Sequence, residues 1–372
     1  MTSNIIFRDK KKKILLIIPN LAAGGAEKVM SFLAQNLNKN QFSAKLLVIG
    51  FEKDTAYDVS KVETIYLNHA HVSKAFIAIL KFIHLEKPDL VLSSLSHLNA
   101  TMGYISFLVP RTIFIGRETI VQSAQEVFSG SQGLKSKLTG YVYNFGYRGL
   151  KKLISQSQDM KNDLVEKQGF KNEKIITINN PVSDNFTIKS AIPSTLKKYE
   201  FITVGRLTKK KGHERILRIL SKINLPFNYT ILGDGHEKPN ILSLATKLNI
   251  SDKITYVPFT KEVNKYLSNS HVYLQGSYVE GFPNALIESL SVGTPAVVFN
   301  APGGMNEIMI DGVNGYLADN EKLFLSNLER LITNIDHFTP MQVSRDVRKK
   351  YSANNIISKY EALFNSLIEN KN

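Results

Sequence analysis

Short apolar runs alternate with longer segments of helical spacing along almost the whole chain, and this alternation restricts the fold more than any single residue does. The runs at 14–18, 44–49, 90–92, 112–115, 152–154 and 175–178 look like buried parallel strands. The pattern restarts with 201–204, 229–232, 254–257, 272–274 and 296–298. Between them lie stretches such as 27–37, with Val29, Phe32, Leu33 and Leu37 on one helical face, and 215–223. Strands that alternate with helices in this way build parallel sheets covered by helices on both faces. Eleven strands exceed one small doubly wound sheet, and 372 residues exceed one ordinary core at ~150 residues per domain. Two α/β domains follow.

The boundary falls in a turn cluster, Asn179-Asn180-Pro181 and then Ser183, Asp184 and Asn185, followed by a linker-like stretch at 189–198 containing Pro193. The expected units are 1–186, 187–354 and a last helix within 355–372, whose Ile356, Ile357, Tyr360, Leu363, Phe364 and Leu367 need a face that the sequence does not name. No short internal repeat is present.

With no cysteine, the chain has no disulfide framework, thiolate nucleophile or cysteine metal site. No apolar run approaches the ~18 residues of a membrane span, and five apolar residues at 14–18, stopped by Pro19, are too few for a signal-peptide core. A cytoplasmic location is expected. The formal charge is +15, with 24 basic against 15 acidic residues up to 185 and 23 against 17 after it. Such a field attracts polyanions, anionic headgroups or phosphorylated substrates. From 127 to 158 there is no acidic residue, while Lys135, Lys137, Arg148, Lys151 and Lys152 interleave with Tyr141, Tyr143, Phe145 and Tyr147. That mixture suits an amphipathic surface on an anionic membrane, and equally a solvated helix face with a tyrosine-rich core side.

In open α/β sheets, ligands bind beyond the carboxyl ends of the strands. Four such junctions stand out. Gly24-Gly25-Ala26-Glu27 follows the first strand and opens a helix, which fits a close anion approach or a tight turn. It is not GxGxxG, and no ribose-binding acid lies about 20 residues on, so a nicotinamide oxidoreductase is disfavoured. Gly205-Arg206-Leu207, with Lys209, Lys210 and Lys211, fits a pyrophosphate clamp or a solvated basic loop. Gly233-Asp234-Gly235 is most simply a turn. Glu280 and Glu288, with Gly281-Phe282-Pro283-Asn284 between them, place one carboxylate in a loop and the other about one turn into a helix. Together they could hold a hydroxyl-rich ligand, or act as a hydrolase pair, which would leave the basic loop without a role.

Taken in order, the Gly24-Gly25-Ala26-Glu27 loop, Arg206 with Lys211, and Glu280-x7-Glu288 resemble a retaining glycosyltransferase of family 4 over nearly the whole chain. Asn180-Pro181-Val182, Gly303-Gly304 with Glu307, and Gly312-Val313-Asn314-Gly315 extend the likeness. The resemblance implies a GT-B fold, two Rossmann-like domains facing across a cleft. It implies that Arg206 and Lys211 bind the donor diphosphate and stabilise leaving-group charge, that Glu288 accepts from ribose hydroxyls, and that Glu280 holds the transferred sugar. Backbone amides of Phe282, Asn284, Ala285 and Leu286 would line phosphate and sugar, with Gly281 and Gly233 at the donor. Val257 and Phe259 would contact the base, and Gly24 and Gly25 would approach the phosphate. His97 would contact the transferred sugar, and Glu118 would face the acceptor.

The implied reaction moves a sugar from a nucleotide diphosphate, with UDP favoured, to a saccharide or lipid-linked saccharide of a cell-surface glycan. It retains the anomeric configuration by same-face attack. No Asp-x-Asp occurs, so no divalent metal and no cofactor beyond the nucleotide-sugar substrate is expected. The basic first domain would rest on anionic membrane at the inner face. Rival readings are a sugar-nucleotide 2-epimerase of the same fold and a non-enzymatic polyanion- or membrane-binding protein. No recognisable nucleic-acid module is present.

Overall fold

The computed structural model describes residues 11–130, 143–190 and 198–371. The first sheet contains β1 (Lys12–Ile18), β2 (Phe42–Val48), β3 (Glu63–Tyr66), β4 (Leu90–Ser94), β5 (Ile113–Arg117), β6 (Lys152–Ser155) and β7 (Ile175–Thr177). The second contains β8 (Tyr199–Val204), β9 (Phe227–Leu232), β10 (Ile254–Val257), β11 (Val272–Gln275), β12 (Ala296–Phe299) and β13 (Gly315–Ala318). All pairings within the two sheets are parallel. The orders are β3-β2-β1-β4-β5-β6-β7 and β10-β9-β8-β11-β12-β13. Each chain of strands reverses direction beside its first strand, which is the switch point where doubly wound sheets bind ligands.

In the first sheet the apolar runs are continuous because each central strand feeds two cores. Side chains alternate across a strand, so Ile14, Leu16 and Ile18 join one core while Leu15 and Ile17 join the other. Leu90 and Leu92 part from Val91, and Leu46 and Val48 from Leu47, in the same way. The eleven strands expected from sequence are present. Two more are four-residue edge strands: β3, Glu63-Thr64-Ile65-Tyr66, has mixed polarity and no buried residue, and β13 opens on Gly315. At β13 the motif Gly312–Gly315 ends in a strand rather than a loop. Gly315 has φ +143°, and a Cβ there would strike the Ala296 carbonyl across the ladder.

The last helix, Ala353–Glu369, packs on the first domain. Its apolar stripe joins the same core as Ile14 and Val29, and Phe364 meets Phe42 edge-on at 6.2 Å. Polar ties flank the stripe: Lys12 Nζ to Asn365 Oδ1 at 2.6 Å and to Glu369 at 2.7 Å, and the Asn38 amide to Glu361 at 2.6 Å. The chain therefore crosses between domains twice, and the crossings pair: Val182 donates to the Tyr351 carbonyl at 2.8 Å and bridges Ser352. Arg348 binds the Phe186 carbonyl at 2.6 Å and the Ser291 carbonyl at 3.0 Å beside them.

Phe364→Ala should destabilise the protein by about 3–5 kcal/mol, the usual cost of emptying a buried aromatic site. The loss should appear as an earlier denaturant unfolding transition of the first domain. An unchanged transition would show that the helix is not part of that core.

Candidate active site in the interdomain cleft

The carboxyl ends of the central strands of both sheets supply the loops that meet across the cleft. After β8 the chain turns through Gly205 and Arg206 into a single 3-10 turn, Lys209–Lys211. Arg206 is exposed, and its charge reaches Glu27 and Tyr57 of the opposite domain. Lys211 projects to the loop after β11, where Nζ pairs with Glu280 Oε1 at 2.5 Å. Ser277 donates to the same oxygen at 2.6 Å. Glu280 is buried, and its amide is fixed on the Pro302 carbonyl at 2.9 Å.

Glu288 lies in the second turn of the helix Asn284–Val292 and is also buried. Its partner comes from the other domain: Lys28, one turn into the helix Gly25–Asn36, forms an ion pair with Glu288. Lys28 was not singled out from the sequence, although it adjoins the glycine loop. Gly25 sits so close to the second domain that a Cβ would stand 2.9 Å from Asn284 Nδ2. Asn284 Oδ1 in turn accepts from Asn180 at 2.6 Å. Tyr57, for which the sequence offered no signal, holds Gly24 at both ends: its hydroxyl accepts from the Gly24 amide at 2.9 Å and donates to the carbonyl at 2.8 Å. Burial, aided by the negative charges of Glu27 and Glu288, raises its pKa to about 12. Burial also raises the Glu27 carboxyl above its usual value, against the pull of Arg206 and Arg117.

Other contacts close the cleft at one side. Asp159 accepts from the amides of Gly303 and Gly304 at 3.0 and 2.9 Å, and the Gln158 amide donates to Glu307. Burial raises the Glu307 carboxyl despite that hydrogen bond. Lys210 Nζ reaches Gln125 at 3.2 Å. Gly281 lies so close to Thr119 that any side chain there would strike the Thr119 carbonyl.

His97 sits exposed in the first turn of the helix Ser96–Ser106. Partial desolvation holds its pKa below the ordinary histidine value, against the pull of the Glu118 carboxylate. The residue two before it, Leu95, is forced to φ +84°, a costly conformation for leucine, at the turn that presents His97. Glu118 differs from expectation. It is fully buried and accepts from Ser96 at 2.7 Å, Asn99 at 2.6 Å, Tyr147 at 2.5 Å and Gln122 at 3.4 Å. Its oxygens are committed to the wall behind His97, so an acceptor cannot reach them without dismantling that network.

The donor-side backbone also departs in part from expectation. The Asn284 amide donates to the Phe282 carbonyl at 3.0 Å and the Leu286 amide to Pro283 at 3.1 Å, so both serve the helix start. Leu286 is wholly buried, and Phe282 packs edge-on against Tyr351 at 5.3 Å. Ala285 is half-buried on the first turn. Gly233, at φ +140°, nests where a Cβ would strike the Gly205 carbonyl, and its amide donates to the Val257 carbonyl at 2.9 Å. Asp234 then pins the next loop by accepting from the Phe259 amide at 2.8 Å and from Tyr256. The Phe259 ring stays exposed. Within the basic stretch, Lys135, Lys137 and Tyr141 lie outside the described residues, as does Pro193 of the linker. Among the described residues no three His, Cys, Asp or Glu side chains converge as a metal cluster would.

Two family models divide the chain almost without overlap. Residues 23–186 match "Glycosyltransferase Family 4", and residues 184–344 match "Glycosyl transferases group 1". The chain belongs to the family 4 glycosyltransferases. An uncharacterized glycosyltransferase of Haemophilus influenzae is 26% identical over 95% of this chain and 99% of its own. A Campylobacter jejuni N-acetylgalactosamine-N,N'-diacetylbacillosaminyl-diphospho-undecaprenol 4-alpha-N-acetylgalactosaminyltransferase is 24% identical over 86% of this chain and 90% of its own. Among solved structures, Anabaena HepE in complex with UDP and glucose superposes with a TM-score of 0.78 at 16% identity, covering 95% of this chain and all of that one. The two parallel sheets and these neighbours give the transferase a GT-B fold.

Gly281→Ala should leave both domains folded and force them apart at Thr119. Small-angle scattering should then give a larger radius of gyration than for the parent protein, with no loss of helical circular dichroism. An unchanged radius would mean that the Gly281–Thr119 contact does not set the closure.

Proposed function

We propose that the transferase moves a sugar from a UDP-sugar to a saccharide or lipid-linked saccharide in the assembly of a cell-surface glycan, with retention of configuration and without a metal. The observation that carries this reading is the placement of Arg206, Lys211, Glu280 and Glu288 about one cleft. Lys211 pairs with Glu280, Lys28 of the opposite domain with Glu288, and the Arg206 charge is felt at Lys210 and Tyr57. Cations aimed at the leaving diphosphate stabilise charge that grows only as the glycosidic bond breaks, and this favours the transition state over the bound donor. The Lys211–Glu280 pair holds the ammonium in place before the donor arrives, and Ser277 holds Glu280. The free oxygen of Glu280 is left to accept from a sugar hydroxyl. Glu288 serves the ribose once Lys28 yields or shares it. In a same-face reaction the acceptor oxygen bonds to the anomeric carbon as the bond to the diphosphate breaks. The acceptor proton passes to a leaving phosphate oxygen, so no protein base is required.

UDP is favoured by the HepE complexes, and a lipid-linked acceptor by the Campylobacter relative. The first domain carries exposed Phe107, Leu108 and Phe145, with Tyr104 stacked on Phe145 at 5.9 Å and Arg148 over the same ring at 5.5 Å. Aromatic rings beside a guanidinium suit the headgroup layer of an anionic membrane, which supports a peripheral position at its inner face. No described helix is long and apolar enough to cross a membrane. The epimerase and polyanion-binding readings gain no comparable feature.

A thermal-shift panel of UDP, GDP, ADP and their sugar conjugates, run without metal, should give a rise for the uridine set. At 100 times its dissociation constant a ligand adds ~2.7 kcal/mol. Glu288→Ala should abolish the shift. Lys211→Ala should stay folded and lower kcat/KM by about 10²–10³, the range for losing one charge-stabilising donor. Full activity in either variant would overturn the site assignment.

A further inference from the structure

Beside the Lys209–Lys211 turn lies a second cavity of about 390 Å³. That volume is within the usual ~300–1,000 Å³ of small-molecule sites. None of Arg206, Lys211, Glu280 or Glu288 lines it. Its walls come from both domains: Phe128, at the end of the helix Gln122–Ser129, closes it from the first domain, against Tyr278 of the second. The two rings pack at 5.4 Å with 31° between their planes. Ile241 and Leu244, on the first two turns of the helix Lys238–Lys247, form an apolar floor.

The polar lining has a distinct character. Lys209 is set against Glu214 and Glu237, so the cavity has an acidic excess in a chain whose formal charge is +15. That balance repels phosphate. Thr208 and Asn240 add neutral hydrogen-bonding groups. His213 is the decisive member. It lines the cavity, it is 1% exposed, and neither ring nitrogen has a hydrogen-bond partner among the described residues. The Arg206 carbonyl favours a proton on the ring without completing a hydrogen bond, and burial wins, holding the pKa down at about 4. The imidazole is thus neutral near pH 7, offering one donor and one acceptor. A buried polar group left unpaired is costly, and a ligand hydroxyl reaching the ring would recover that cost. Glu214 and Glu237 are oriented in advance, by the Tyr278 hydroxyl at 2.8 Å and the Asn240 amide at 2.9 Å.

We propose that this cavity is a saccharide-binding subsite, which takes a neutral sugar unit of a glycan reaching the cleft, with Phe128 and the edge of Tyr278, whose ring Arg215 covers at 4.0 Å, against the sugar, and His213, Asn240 and the two carboxylates binding hydroxyls. The assignment of this glycan as substrate or product rests on the transferase reading; the binding itself does not. Because Thr208 and Lys209 form one wall, occupancy would also bear on the loop that carries Arg206 and Lys211.

The test is saturation-transfer difference NMR on the full chain with maltotriose, lactose and N,N'-diacetylchitobiose, each with and without saturating UDP. At least one sugar should receive saturation in the presence of UDP. Its signal should fall at least fivefold in Tyr278→Ala and in Asn240→Ala, both changes at the rim, and in Leu244→Trp, which fills the cavity. The chain has no tryptophan of its own, so the indole fluorescence of L244W verifies that the new ring is buried. The proposal is overturned if no sugar receives saturation, if the signal survives in all three variants, or if UDP abolishes it, since the sugar would then sit in the donor cleft. UDP saturation is read in the same tube. Its absence counts against the donor assignment alone, and a sugar signal without it still supports the subsite.

Discussion

Where Val182 donates its amide to the carbonyl of Tyr351, the two segments that join the domains lie side by side. The cleft depends on this pairing. A single linker would leave two Rossmann-like units free to take many relative orientations. A second crossing, continued by a helix whose Phe364 and Tyr360 are buried in the first core, holds the carboxyl edges of both sheets opposite one another. Residues about 260 positions apart, such as Lys28 and Glu288, then become an ion pair.

Side-chain volume sets how closely the edges approach. Gly281 faces Thr119, Gly25 faces Asn284, and Gly304 meets Ser157, in each case with too little room for a Cβ. Around these contacts are polar groups that another chain segment or a ligand can satisfy: Asp159 on two glycine amides, Asn180 on Asn284, and the Lys28 ammonium on Glu288. Such contacts are polar hydrogen bonds and an ion pair between the two domains. That polarity is expected between domains that must admit a substrate, because interdomain interfaces are typically more polar than a core. Lys28 ties this polarity to the proposed chemistry, since its partner is the carboxylate proposed to hold the ribose.

Much of this was legible in the sequence. The central strands announced themselves because a parallel strand buried on both faces must be apolar at every position, as in Ile14 to Ile18. Strands β3 and β13 did not, since no residue of Glu63–Tyr66 is buried and Gly315 interrupts the apolar pattern of the other. Lys211 and Glu280 were singled out as residue types at strand ends, and they meet. Tyr57 and Lys28 were missed: a tyrosine in a loop and a lysine on a helix are ordinary residues until a fold gives them partners. Glu118 misled for the converse reason. A carboxylate at a strand end reads as a ligand group, but only packing reveals that Ser96, Asn99, Gln122 and Tyr147 already occupy it.

By itself the sequence determined the two parallel sheets, because alternation of apolar runs with helical segments allows little else. It also placed the basic loop and the paired carboxylates beyond strand ends, where a parallel sheet exposes them together. Only the tertiary structure decided how the domains face each other, which domain receives the last helix, and which polar groups stay available to a ligand. Those outcomes depend on contacts between residues far apart in the chain, and local pattern carries no record of distance in space. His213 marks the limit: a histidine after a glycine says nothing in sequence, and becomes informative only when burial leaves both of its nitrogens unpaired beside a cavity.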